Sequence, residues 1–132
     1  MTRRAYALLV ALAGAGSMLA VCKDTTPPRP IPGWLSVRLT TPNGDDGGIS
    51  FTVTGPAIDS ARTTHPQIVT RLENGSTLRV IVAGNLSSGV VSEIHVPDTR
   101  AAAQYSATIQ ELAVRTTYAQ RATAGYALVV VP

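Results

Sequence analysis

From Trp34 onward the chain alternates apolar and polar residues in short runs, and this period of two is what most limits its possible folds. Leu35, Val37 and Leu39 alternate with Ser36, Arg38 and Thr40, and Ile49, Phe51 and Val53 with Ser50, Thr52 and Thr54. Successive side chains of a strand point to opposite faces, so each run predicts a strand with one buried face. Between the two lies Pro42-Asn43-Gly44-Asp45-Asp46-Gly47-Gly48, a cluster of turn-forming residues. Further on, Asn74-Gly75 separates Gln67–Glu73 from Ser76–Val82, both rich in β-branched residues. That pattern predicts a hairpin closed by a type I′ turn. Val90–Val96 and Tyr126–Val131 supply two more strands.

The segment from Asp98 to Gly125 reads two ways. Ala101, Tyr105, Ile109 and Leu112 follow helical spacing, with Asp98 as a cap and Gly125 as a stop. Tyr105, Ala107 and Ile109 also alternate with polar residues, and Val114, Thr116, Thr117 and Tyr118 favour strand. A strand over Gln104–Arg115, with Pro97–Ala103 as a turn or single helical turn, is the preferred reading. Short strands separated by Gly and Pro turns predict an all-β fold, an antiparallel β-sandwich of jelly-roll or immunoglobulin-like type. About a hundred residues, 34–132, suffice for one such domain and not for two.

The first thirty-three residues belong to something else. Arg3 and Arg4 precede an apolar, small-residue-rich run from Ala5 to Val21, the pattern of a secretory signal covering residues 1–21. The run contains Gly14, Gly16 and Ser17 and is shorter than the roughly twenty apolar residues of a membrane span. It ends at Leu19-Ala20-Val21-Cys22, which resembles the lipobox of bacterial lipoproteins, with Val21 where that family prefers Gly, Ala or Ser. The resemblance implies cleavage before Cys22 and diacylglycerol on its thiol. A plain secretory signal cut nearby is the alternative. Cys22 is the only cysteine, so no internal disulfide can form, and lipidation accounts for a lone thiol in an oxidising compartment. In the lipoprotein family an aspartate directly after the cysteine favours inner-membrane retention. Lys23 stands there, so the expected location is the bacterial envelope, at the outer membrane or cell surface, with free secretion as the alternative.

Residues 22–33 carry four prolines, Pro27, Pro28, Pro30 and Pro32. Proline fixes φ and cannot donate a hydrogen bond, so this segment predicts an extended spacer of roughly 30 Å.

Charge excludes one class of partner. The net charge of +3 counts Arg3 and Arg4; without them, nine of the eleven Lys and Arg face eight Asp and Glu. Arg38, Arg62, Arg71, Arg79, Arg100, Arg115 and Arg121 are scattered singly. Nucleic-acid binding requires basic residues gathered on one face, so nucleic acid is not an expected partner.

Ile49–Pro56, Leu78–Asn85 and Gly89–Val96, taken in order, resemble the middle of cohesin-type domains. These are extracellular jelly-roll sandwiches, related to some carbohydrate-binding modules, that hold a partner protein on one sheet face. The resemblance covers about fifty residues and rests on strand order and hydrophobic spacing. It implies a fold and assigns no contact residue.

Candidate chemistry is sparse. His65 precedes Pro66 in a loop, and His95 lies between Ile94 and Val96 on the outer face of a strand. Neither has metal-ligand spacing, and no serine sits in a G-x-S-x-G elbow. Asp45 and Asp46 are adjacent and point apart unless the turn bends them together. Asn43, Asp45 and Gly47 echo the start of a calcium loop, but Thr54 stands where that loop needs its glutamate. No catalytic residue, metal or cofactor is therefore expected. Among the aromatic residues, Trp34, Phe51, Tyr105 and Tyr126 are expected in the core, and Tyr118 is expected to be exposed. Tyr118 and Arg121 are the candidate partner-contact residues. The expected function is a non-enzymatic binding or adhesion module tethered through lipid on Cys22, with a protein or glycan partner. The alternatives are a structural subunit that assembles by pairing the Ala127–Val131 strand, and a periplasmic hydrolase or inhibitor.

Overall fold

The computed structural model describes residues 26–132 except 64 and 66. The expected signal sequence 1–21 and the expected lipid-attachment residue Cys22 lie outside the described residues. Among the described residues, nine strands occur in chain order: β1 (Gly33–Thr40), β2 (Asp46–Thr54), β3 (Ser60–Arg62), β4 (Gln67–Leu72), β5 (Thr77–Leu86), β6 (Gly89–Val96), β7 (Ser106–Val114), β8 (Gln120–Arg121) and β9 (Ala127–Val131). A short 3-10 helix, Thr99–Gln104, joins β6 to β7. The strands form a four-stranded sheet, β3-β6-β1-β9, and a five-stranded sheet, β4-β5-β2-β7-β8. All neighbours within a sheet are antiparallel. The expected all-β sandwich is the fold. Only β4–β5 and β7–β8 are hairpins within one sheet; every other connection crosses from one sheet to the other.

The core follows from the alternation. Leu35, Val37 and Leu39 of β1 face Ile49, Phe51 and Val53 of β2 and Leu78, Val80 and Val82 of β5, all buried. The same parity corrects the expectation for Trp34. With Leu35 pointing inward, Trp34 points outward and is only half-buried, against His95 on the neighbouring strand. Phe51 and Tyr105 are buried as expected, and Tyr126 packs at the margin of the core.

The two-way reading of 98–125 resolves as strand. The β2–β7 register slips between Ser50 and Phe51, which pair with Glu111 and Ile109 and leave Gln110 as an extra residue. A bulge of this kind shifts the inward face by one position. Ile109 packs on the core on one side of the slip and Leu112 is buried on the other. Three-residue spacing here marks an irregular strand.

The β4–β5 hairpin forms, but its turn is not the expected two-residue type I′. The Glu73 N–H donates to the Thr77 carbonyl at 2.9 Å, leaving a three-residue loop in which Gly75 takes φ 77°. A type I′ turn needs two left-handed residues, and Asn74 is not left-handed. Its Oδ1 accepts from the Ser76 N–H and hydroxyl instead.

Gly47 is fixed by a close approach. A Cβ there would sit 2.2 Å from the Arg115 Cα. At Gly48 the nearest atom, the Ala113 Cβ, would be 3.7 Å away. Gly47→Ala is therefore expected to lower stability by about 2 kcal/mol or more through overpacking, while Gly48→Ala stays within about 1 kcal/mol. Urea denaturation of both variants checks the contrast.

Candidate functional site

Adjacent carboxylates at a strand start repel one another unless a cation lies between them. Arg121, on two-residue β8, fills that role. Its Nη1 donates to Asp45 Oδ1 at 2.7 Å and to Asp46 Oδ1 at 2.8 Å, and its Nη2 donates to Asp45 Oδ2 at 3.0 Å. Asp46 is fully buried, and all its hydrogen bonds come from inside the protein. The Tyr126 hydroxyl donates to its Oδ1 at 2.7 Å and the Thr41 hydroxyl to its Oδ2. Asn43 Nδ2 donates to the Tyr126 oxygen at 2.7 Å. The β1–β2 turn thus bends Asp45 and Asp46 onto one guanidinium and ties that turn to β8 and β9. The hydrogen bond from Arg121 holds the Asp45 carboxyl below the usual carboxylate range, and Asp45, with Tyr126, raises the Arg121 guanidinium.

This knot sets the position of the β7–β8 turn, which carries Tyr118. The Tyr118 N–H donates to the Val114 carbonyl at 2.8 Å, and Val114 N–H to the Ala119 carbonyl at 2.9 Å. Tyr118 takes φ 55°, a left-handed conformation that costs a non-glycine residue about 1 kcal/mol. The residue is 77% exposed.

Beside the Tyr118 ring, a groove of about 310 Å³ crosses the outer face of the five-stranded sheet. The register explains it. Ala83, Gly48, Ala113 and Gln120 stand side by side on β5, β2, β7 and β8, so three of four positions in one row have a methyl or no side chain. The next row, Ile81, Ser50 and Glu111, is taller. Tyr118 and Gln120 close one side, and Ile81, 46% exposed, closes the other. The groove offers an aromatic face, an aliphatic wall and the polar ends of Ser50, Glu111 and Gln120. A concave, mostly apolar surface with a few polar groups suits binding. Of the two candidate contact residues, Tyr118 lines the groove, whereas the Arg121 guanidinium is occupied by the carboxylates beneath it.

A second cluster, missed at the level of sequence, lies on the outer face of the four-stranded sheet. The Arg62 guanidinium stacks 3.9 Å above the Trp34 ring and pairs with Glu93 at 2.7 Å. His95 meets Trp34 edge-on, with centroids 5.1 Å apart, and its Nδ1 lies 2.9 Å from Asp59 Oδ2. Ser60 pairs with His95 in register, but no hydrogen bond joins its hydroxyl to the imidazole. The outward parity of Trp34 and His95 was readable, but the pairing of β1 with β6 was not. Among the described residues, no three His, Cys, Asp or Glu side chains gather as metal ligands.

Family models, curated proteins and solved structures offer no match to this chain.

Removing the guanidinium leaves a buried carboxylate without its cation. Arg121→Ala is expected to destabilise by about 2–3 kcal/mol in chemical denaturation. Arg100, in the 3-10 helix after β6, holds the Asp98 carboxyl down to about 2. A carboxyl lowered by folding stabilises above its ordinary pKa, and that contribution disappears as pH falls through the folded value. Stability is expected to drop from about pH 4 towards pH 2, and the Asp45→Asn/Asp98→Asn variant should show a shallower drop in the same titration.

Proposed function

We propose that the chain is an envelope-anchored bacterial lipoprotein, tethered by lipid on Cys22, whose sandwich acts as a non-enzymatic binding module. The observation that carries this reading is the strained, exposed Tyr118 ring beside the groove over Gly48, Ala83 and Ala113. An exposed aromatic ring on a rigid frame supplies contact area at small entropic cost. Glycine in a central strand weakens it and often marks a close approach by another molecule. The polar groups of the groove can orient either a protein or a glycan partner. The anchor rests on the charged start, the apolar run and the lone Cys22.

The test is capture from envelope extract by the mature protein, compared with Gly48→Val and Tyr118→Ala. Valine at 48 fills the groove without a steric clash at its Cβ. Both variants are expected to remain folded and to retain at least about tenfold less partner, a loss of 1.4 kcal/mol. Undiminished capture by both would remove the groove from the binding surface. Intact mass of the protein from its own membrane tests the anchor: acylation at Cys22 is expected, and an unmodified mass contradicts it.

A further inference from the structure

A proline-rich strap has carbonyls to satisfy and few N–H groups of its own. The turn after β6 supplies the donors it needs. Arg100 Nη2 donates to the Arg29 carbonyl at 2.7 Å and to the Pro28 carbonyl at 3.3 Å. The Ile31 carbonyl accepts from the Thr99 N–H at 2.8 Å and from the Thr99 hydroxyl at 3.2 Å. In return, the Ile31 N–H donates to Asp98 Oδ1 at 3.4 Å. Asp98 also fixes the guanidinium, accepting from Arg100 Nε and Nη2, each at 3.0 Å. The segment expected to be an extended spacer is therefore fastened to the domain from Pro28 onward.

We infer that Asp98, Thr99 and Arg100 form a clasp that grips the tether at Pro28–Ile31, so that the sandwich stands on its tether with the Tyr118 groove at the far end. Strand β1 leaves the clasp at Gly33 and ends at Thr40, where the chain turns into Asp46 and β2. Gly48, Tyr118 and Arg121 belong to that opposite end, about 25 Å away along the strands. The stance rests on the lipid anchor proposed above. Cys22 and Pro28 are six residues apart, which allows at most about 21 Å of extended chain. A leash that short, gripped at its end, turns the clasp towards the membrane and the groove towards whatever lies beyond. An unclasped linker would be nearly twice as long and would let the domain tumble.

The test uses full-length protein purified from its native membrane. Thr99 amide exchange, followed by NMR, reports the clasp, because that N–H is bonded to the strap carbonyl of Ile31. It is expected to be slow, and Arg100→Ala should speed it at least about tenfold while Val80 in the core is unchanged. Arg100→Lys keeps the charge and loses the planar fork, and should fall between the two. Fast Thr99 exchange in the unsubstituted protein, or no change in Arg100→Ala, overturns the clasp. For the stance, a fluorophore is placed at Ala103→Cys or Tyr118→Cys in vesicles carrying a headgroup acceptor. Energy transfer should be greater from 103 than from 118, and the difference should shrink in Arg100→Ala. Equal transfer overturns the stance. Failure to associate with vesicles while Thr99 stays protected overturns the stance through the anchor and leaves the clasp standing.

Discussion

A buried carboxylate is the constraint around which the far end of this sandwich is arranged. Asp46 opens the central strand of the five-stranded sheet with no exposure to solvent. An ion in that position is tolerable only when a cation and further donors meet it. Thr41 lies five residues before Asp46, and Arg121 and Tyr126 come from 75 and 80 residues further along the chain to do so. Their convergence closes a turn that alternation alone would leave open. It also places β8, which has only two residues and cannot hold itself through backbone pairing.

The candidate surface depends on that closure. Gln120 is one residue from Arg121, and Tyr118 lies in the turn immediately before them. The groove floor is rigid because Gly48, Ala83 and Ala113 belong to three paired strands whose other faces are buried in the core. The opposite end has its own ion pair, Arg100 with Asp98, which grips the incoming strap. Two ionic fastenings thus secure the two ends of the sandwich, one setting a turn and the other the entry of the chain.

Much of the fold was legible because period two is a local signal. The six longest strands follow from alternation and turn residues, and burial of Phe51 and Leu35 follows from their parity. What the sequence hid depends on distant partners. β3 and β8 are too short to carry a period. The bulge at Gln110 copies helical spacing in a strand, and the knot at Asp46 joins residues as far as 83 positions apart. Trp34 stands at a strand start, where a ring can close the core, but the parity of Leu35 points it outward. Tyr118 was legible as exposed because its polar neighbours offer no core face. The groove beside it was not, since it depends on lateral pairing of Gly48 with two alanines.

The most direct test of the account is chemical-shift mapping of the isotope-labelled protein against envelope extract. The account predicts perturbed amides at Gly48, Ala83, Ala113, Tyr118 and Gln120, with Trp34 and His95 unchanged. Perturbations confined to Trp34, Arg62 and His95 would contradict it and move the binding surface to the other sheet.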